Sequence, residues 1–141
     1  MIANSTFERL QEWDLLARLG WGEARSEGPL GILAVMWVAL NRSTKRKRAL
    51  KDVILQPWQF SCFNTNDPNR EKLLDAQSIE PVPWGWAEGI AKLVLGGHTM
   101  DPTGGASHYY SVAIAPPRWA RPETGWTELT VIGRHIFGIA R

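Results

Sequence analysis

Glu23 and Glu27 are the residues whose type and spacing most suggest chemistry. Breaking a glycosidic bond needs a proton on the leaving oxygen, and a carboxyl group can deliver it near neutral pH if its surroundings favour the protonated form. Leu10, Leu16, Leu19 and Glu23 lie near helical spacing, so Glu23 ends an otherwise apolar stripe. Poor hydration and the negative pole of a helix C-terminus suit a carboxyl group that has to hold a proton, and Trp21 could add an apolar wall. The competing reading makes Glu23 a surface residue paired with Arg18 or Arg25. Glu27, four residues on, would share a helix face with Glu23 if the helix persisted that far, and the pair could then divide acid and base roles. Gly28-Pro29 argues that the helix ends by Glu27, which leaves a structural pairing of Glu27 with Arg42 equally open.

A second group of candidates comes from stretches that read as loops. Trp58, Tyr109, Tyr110 and Trp119 offer rings for stacking on sugar faces, and Gln59, Ser61 and His108 offer polar groups for substrate oxygens. Phe60 reads better as a plug of the domain floor, and Trp13, Trp37, Trp84, Trp86 and Trp126 as packing groups. Metal and cofactor chemistry finds no pattern: His98, His108 and His135 lack His-Glu-x-x-His spacing, one cysteine cannot build a thiolate-rich site, and Gly104-Gly105 reads as a turn. Cys62 with His108 could imitate a cysteine peptidase pair, but a lone cysteine between Phe60 and Phe63 is more often a small buried hydrophobe.

The elements that must position these residues are mostly helical. Ser5 and Glu8 form a capping box that predicts a first helix running to about Arg25. Pro29 suits the first turn of a second helix, apolar nearly all round and ending at Asn41-Arg42, which should be the buried centre. Residues 49–55 predict a short helix, Asp67-Pro68 the start of another towards Ala76, and residues 83–95 a further one stopped by Gly96-Gly97. Beyond Gly97 the chain reads as a long aromatic loop, followed by one or two short strands within residues 127–139. The expected fold is therefore mainly α (α+β), with a small β element near the C-terminus.

The length, 141 residues, suits one domain over residues 1–141 that folds as a monomer. With a single cysteine, Cys62, no internal disulfide is possible. The net charge of +2 is modest but concentrates at Lys45-Arg46-Lys47-Arg48. That run either complements a helix dipole or attracts an anionic envelope polymer, and by itself it makes no nucleic-acid interface. The longest apolar stretch, residues 32–40, is too short for a membrane span, and residues 1–12 show no secretory signal. The expectation is a protein made in the cytoplasm whose export needs outside help.

Several segments in order resemble the SleB-type cell-wall hydrolases, the spore cortex-lytic enzymes and their relatives. They are Leu16-Ala17-Arg18 leading to Gly22-Glu23-Ala24-Arg25-Ser26-Glu27-Gly28-Pro29, then Leu40-Asn41-Arg42, Gln56-Pro57-Trp58-Gln59-Phe60-Ser61, Asp101-Pro102-Thr103-Gly104-Gly105-Ala106 and Ile132-Gly133-Arg134-His135-Ile136-Phe137. The resemblance implies a lysozyme-like fold and peptidoglycan glycan strands as substrate. It implies Glu23 as the acid, acting at the bond after N-acetylmuramic acid as in a lytic transglycosylase or muramidase. Tyr109-Tyr110-Ser111 departs from the family's usual pattern. A bare catalytic unit without export signal looks like a phage or prophage endolysin, released through a holin pore or carried by a particle. A non-catalytic wall-binding module and a Cys62/His108 amidase or peptidase are the alternatives.

Overall fold

The computed structural model describes residues 4–141. Its centre is α3 (Gly28–Arg46), with Ile32, Val35, Met36, Val38 and Ala39 wholly buried. Around it pack α2 (Glu12–Ala24), α4 (Leu50–Leu55) and α6 (Pro81–Leu95). The near-continuous apolar character of this helix thus has the expected cause: it is covered on several sides. Pro29 sits in its first turn, and the helix runs on past Arg42 to Arg46 before Lys47 closes it in the left-handed conformation (φ 55°). Lys45 and Arg46 lie in its last turn, where cations offset the dipole.

The predicted first helix is two. α1 (Asn4–Glu8) and α2 are separated at residues 9–11, and Ser5 lies inside α1 rather than capping it. The break lets α1 lean on α4 and place Phe7 edge-on to Phe63 at 5.3 Å, while Leu15, Leu16 and Leu19 enter the main core. The stretch from Asp67 to Ala76 also differs from expectation. Asp67 accepts the Asn69 N–H, and the chain then takes a 3-10 path over Arg70–Asp75 before the short α5 (Ala76–Ile79). α6 begins two residues earlier than predicted, at Pro81, and stops at Gly96-Gly97 as expected. Of the tryptophans read as packing groups, Trp84 is buried, whereas Trp86 remains 38% exposed.

The β element is larger than the sequence suggests. β2 (Thr127–Ile132) and β3 (His135–Ile139) form a hairpin around Gly133, as residues 127–139 predict, but β1 (His108–Ser111) joins them from the stretch read as loop. The antiparallel order is β1-β3-β2, with Tyr109 opposite Phe137. The turn entering β1 is tied to the core helix: Asn41 donates to Asp101 and to the Ala106 carbonyl, both at 2.9 Å. Burial alone would raise the Asp101 pKa, but donors from Asn41, Thr103 and Gly105 outweigh it and hold the carboxylate below its ordinary range. No helix among the described residues is long and apolar enough to cross a membrane.

Candidate active site

Glu23 lies in the last turn of α2, where three segments converge. Gly22 permits the convergence: a Cβ there would stand 2.7 Å from Leu73 Cδ2 and 2.8 Å from Cys62 Sγ, so only glycine lets the 61–63 turn approach the helix this closely. The Cys62 N–H and the Ser61 hydroxyl donate to Glu23 Oε2 at 3.0 and 3.1 Å. The Tyr109 hydroxyl, arriving from β1, donates to Oε1. Burial first, and then Glu23, push the Tyr109 pKa well above its ordinary value, so this phenol stays a donor. Both carboxyl oxygens are therefore aimed by neutral groups.

The surface ion-pair reading of Glu23 fails on geometry. Arg18 binds Asp14 at 3.0 Å and the Leu73 carbonyl at 2.7 Å, and Arg25 binds Asn69 at 2.9 Å. Trp21 is no wall for Glu23 either; it is fully buried beneath the Arg25 guanidinium, at 4.1 Å.

Glu23 opens instead into a cleft of about 460 Å³. Trp58, Gln59, Ser61, His108, Tyr109, Tyr110 and Trp119 all line it, so residues far apart in sequence meet at one carboxyl group. They play unequal parts. Tyr109 packs between His135 (5.0 Å) and Phe137 (5.5 Å) and presents only its hydroxyl, whereas Trp119 meets His108 at 5.0 Å and Tyr110 at 6.0 Å to form an aromatic wall. Trp58 also lines the cleft. It is 71% exposed and left-handed (φ 67°), a conformation costing a bulky residue about 1–2 kcal/mol, and Asn64 Oδ1 holds its N–H. Phe60, read as a plug, is buried under the Arg42 guanidinium. Two smaller hollows continue from Glu23 on its other sides, one past Arg25, Asn69 and Glu80, the other past Ser111, Arg134 and His135.

Glu27 has a different neighbourhood. Its carboxylate accepts the Arg134 N–H at 2.8 Å and the Arg134 Nε and Nη2 at 2.9 and 2.8 Å, and its side chain is 4% exposed. Burial would raise its pKa, but the Arg134 hydrogen bonds outweigh that and hold Glu27 below the ordinary value. The pairing of Glu27 with Arg42 that the sequence left open does not form; the partner is Arg134. Arg42 instead donates to the carbonyls of Ser107 and Gln59 and lines the cleft. Arg42, Asn64, Ile114 and Pro117 are lining residues that the sequence reading did not assign to the site. For Arg42 a signal existed: a cation on a helix otherwise apolar nearly all round.

Cys62 cannot serve as a nucleophile in this setting. It is wholly buried, and burial pushes its thiol pKa well above the ordinary value, so the reactive thiolate does not form. Among the described residues no group of three or more His, Cys, Asp or Glu is placed to hold a metal ion.

Residues 26–138 match the Cell Wall Hydrolase family, Hydrolase_2. The chain belongs to that family. The matched stretch begins three residues after Glu23, so the placement of Glu23 stands on the geometry above. The chain is 30% identical over 134 residues to a spore cortex-lytic enzyme of Bacillus cereus and 31% identical to one of Bacillus subtilis. Each match covers 87% of this chain but only 42% and 36% of those relatives. The catalytic domain of the Bacillus cereus SleB protein superposes with a TM-score of 0.63 at 28% identity, covering 89% of this chain and 88% of that one. The catalytic domain of the germination-specific lytic transglycosylase SleB from Bacillus anthracis gives the same score and identity, covering 97% and 99%. The helical architecture with its small sheet is thus the SleB catalytic-domain fold.

Proposed function

We propose that this chain cleaves the β-1,4 bond between N-acetylmuramic acid and N-acetylglucosamine in peptidoglycan glycan strands, with Glu23 as general acid. The observation that carries the proposal is the Glu23 carboxyl group, aimed by Ser61, Cys62 and Tyr109 and open to an aromatic-walled cleft. Trp58 and Trp119 stack on sugar faces, while Gln59, Ser61, His108 and Tyr110 meet sugar hydroxyls and amides. Glu23 gives its proton to the leaving oxygen as the bond breaks and the sugar takes on oxocarbenium character. The three donors then receive the carboxylate that forms, without moving.

Among the described residues Glu23 is the sole acidic side chain lining the main cleft, and the Glu27 carboxylate is occupied by Arg134. Among the described residues no second free carboxylate faces the cleft to act as a covalent nucleophile, which favours capture of the cation by the sugar's own 6-hydroxyl, giving a 1,6-anhydro end. The name of the structural relative from Bacillus anthracis, a lytic transglycosylase, points the same way. Water capture would instead make the chain a muramidase. Mass spectrometry of muropeptides released by the pure protein separates the two products. Glu23→Gln should abolish release of both while the protein stays folded, and full activity in that variant would overturn the proposal.

Two parts of the reading concern where the enzyme works. Lys45, Arg46 and Arg48 are partly engaged by Ala140, Gln56 and Gln59, and their remaining charge draws the enzyme to anionic envelope polymers. Neutralising the run should weaken wall association at low salt and change little at high salt. The biological role is lysis from within as an endolysin, made in the cytoplasm and released by a holin-type pore or a particle. Expression with a pore-forming protein should lyse cells that tolerate the enzyme alone.

A further inference from the structure

Buried charges are ordinarily paired, because an uncompensated ion loses its hydration without return. Arg42 breaks that rule. It is 5% exposed, and among the described residues no carboxylate lies within ion-pair distance of it. Its Nε and Nη1 donate to the neutral carbonyls of Ser107 and Gln59, its guanidinium carbon lies 4.6 Å from the centre of the Phe60 ring, and among the described residues its Nη2 has no hydrogen-bond partner. Burial brings its pKa down to about 10, which still leaves the group charged at neutral pH.

The fields of Tyr109 and Glu23 offset the charge of Arg42 in part, without an ion pair, while the neighbouring cations add to it. Arg46, one turn further along α3, reaches Gln59 Oε1 at 2.8 Å. Burial, followed by the fields of Arg42, Arg46 and Lys45, brings the His108 pKa down to about 4, so the imidazole is neutral near pH 7 and stands in a region of positive potential. Its Nδ1 lies 2.9 Å from Ser107 Oγ, and Trp119 covers its ring. Arg42, Gln59 and His108 line the same cleft as Glu23.

The hydroxyls and acetamides of the glycan can accept hydrogen bonds here, but being uncharged they offer Arg42 no counterion. The negative charge of peptidoglycan sits on the carboxylates of the stem peptide, hung from the lactyl ether of muramic acid. We propose that the Arg42, Gln59 and His108 end of the cleft is a subsite for a stem-peptide carboxylate, with Arg42 Nη2 as its principal donor. A guanidinium held rigidly by two carbonyls and a ring is suited to a planar carboxylate, because little side-chain entropy remains to be lost. The inference rests on the glycan-cleaving reading and extends it: the enzyme selects strands that carry stems over bare ones.

The test compares kcat/KM on three forms of one glycan: native stems, stems with amidated carboxylates, and strands stripped of stems with the lactyl carboxylates so freed converted to amides. The native form should be preferred by about tenfold, the size of one charge-assisted hydrogen bond. In Arg42→Gln the preference should fall to about one, whatever the overall rate, and Arg42→Lys should retain part of it. If Arg42→Gln does not fold, the exposed pair Lys45→Gln and Arg46→Gln decides the matter by lowering the same ratio about twofold. Equal cleavage of all three polymers by the wild type removes the subsite and leaves the Glu23 reading intact. A full preference surviving in folded Arg42→Gln, or in the double variant, also overturns it. Failure to cleave any of the three overturns the glycan-cleaving reading and this subsite with it.

Discussion

Two carboxylates four residues apart, at the junction of α2 and α3, have opposite environments. Glu23 accepts hydrogen bonds from a tyrosine, a serine and a main-chain amide, and it faces a cleft wide enough for a ligand. Glu27 is closed over by the hairpin turn at Gly133, where a Cβ would stand 2.8 Å from its Oε1, and is paired with Arg134. Neutral donors hold a carboxyl group in place while leaving it able to exchange a proton with a bound molecule. An ion pair between the covered Glu27 and the solvent-facing Arg134 fixes the charge and uses it to fasten the β2–β3 hairpin to the helices. Proximity in sequence therefore says little about shared chemistry; what each carboxylate meets across the fold decides it.

The comparison breaks most sharply at Glu23. Glu23→Gln should lower the rate of muropeptide release by about 10²–10⁴-fold, the usual worth of a positioned acid, with the urea midpoint little changed. Glu27→Gln should do the reverse in emphasis. Losing the charge-assisted bonds to Arg134 should cost about 1.5–3 kcal/mol in urea unfolding, and activity should fall only as far as the fold loosens. A Glu27 variant as stable as wild type and catalytically dead would erase the distinction.

The pH dependence of stability sharpens it further. The folded pKa of Glu27 is depressed, so its contribution is fully present above the ordinary value of 4.5 and is lost as pH falls through the lower folded value. The decline in stability below about pH 4.5 should be shallower in Glu27→Gln than in wild type. Tyr109→Phe should lower kcat by about tenfold at nearly constant KM, because one donor to the Glu23 carboxylate is lost while the ring remains packed. The smallest effect is at Trp58. Trp58→Gly should raise KM a few-fold while gaining under about 1 kcal/mol of stability, since the left-handed backbone no longer carries a side chain.

The legible parts of the molecule were those governed by local rules. The apolar run around residues 30–40, with Pro29 at its start and basic residues at its end, could only be a central helix, and Gly96-Gly97 could only end one. The aromatic and polar residues named for the cleft needed no geometry to be recognised as unusual for loops. β1 was not legible, because His108-Tyr109-Tyr110-Ser111 becomes a strand only by pairing with β3, more than twenty residues later. The break before α2 was hidden for a similar reason: Phe7 needs Phe63 to turn towards. Arg42 was visible as a charge in an apolar helix, but its lack of a counterion is a statement about everything around it.

By itself the sequence determined the helical core, the start of α3 and the stop of α6, the presence of an acid at a helix terminus and a stock of rings and amides to surround it. Those follow from periodicity, capping and turn chemistry, which act over a few residues. Only the tertiary structure decided that Glu23 faces a cleft while Glu27 is sealed by Arg134, and that Tyr109 serves as a donor where Trp58 and Trp119 form walls. The physical reason is that a carboxyl group's role is set by its solvent and its partners, and here those partners come from segments up to about a hundred residues away.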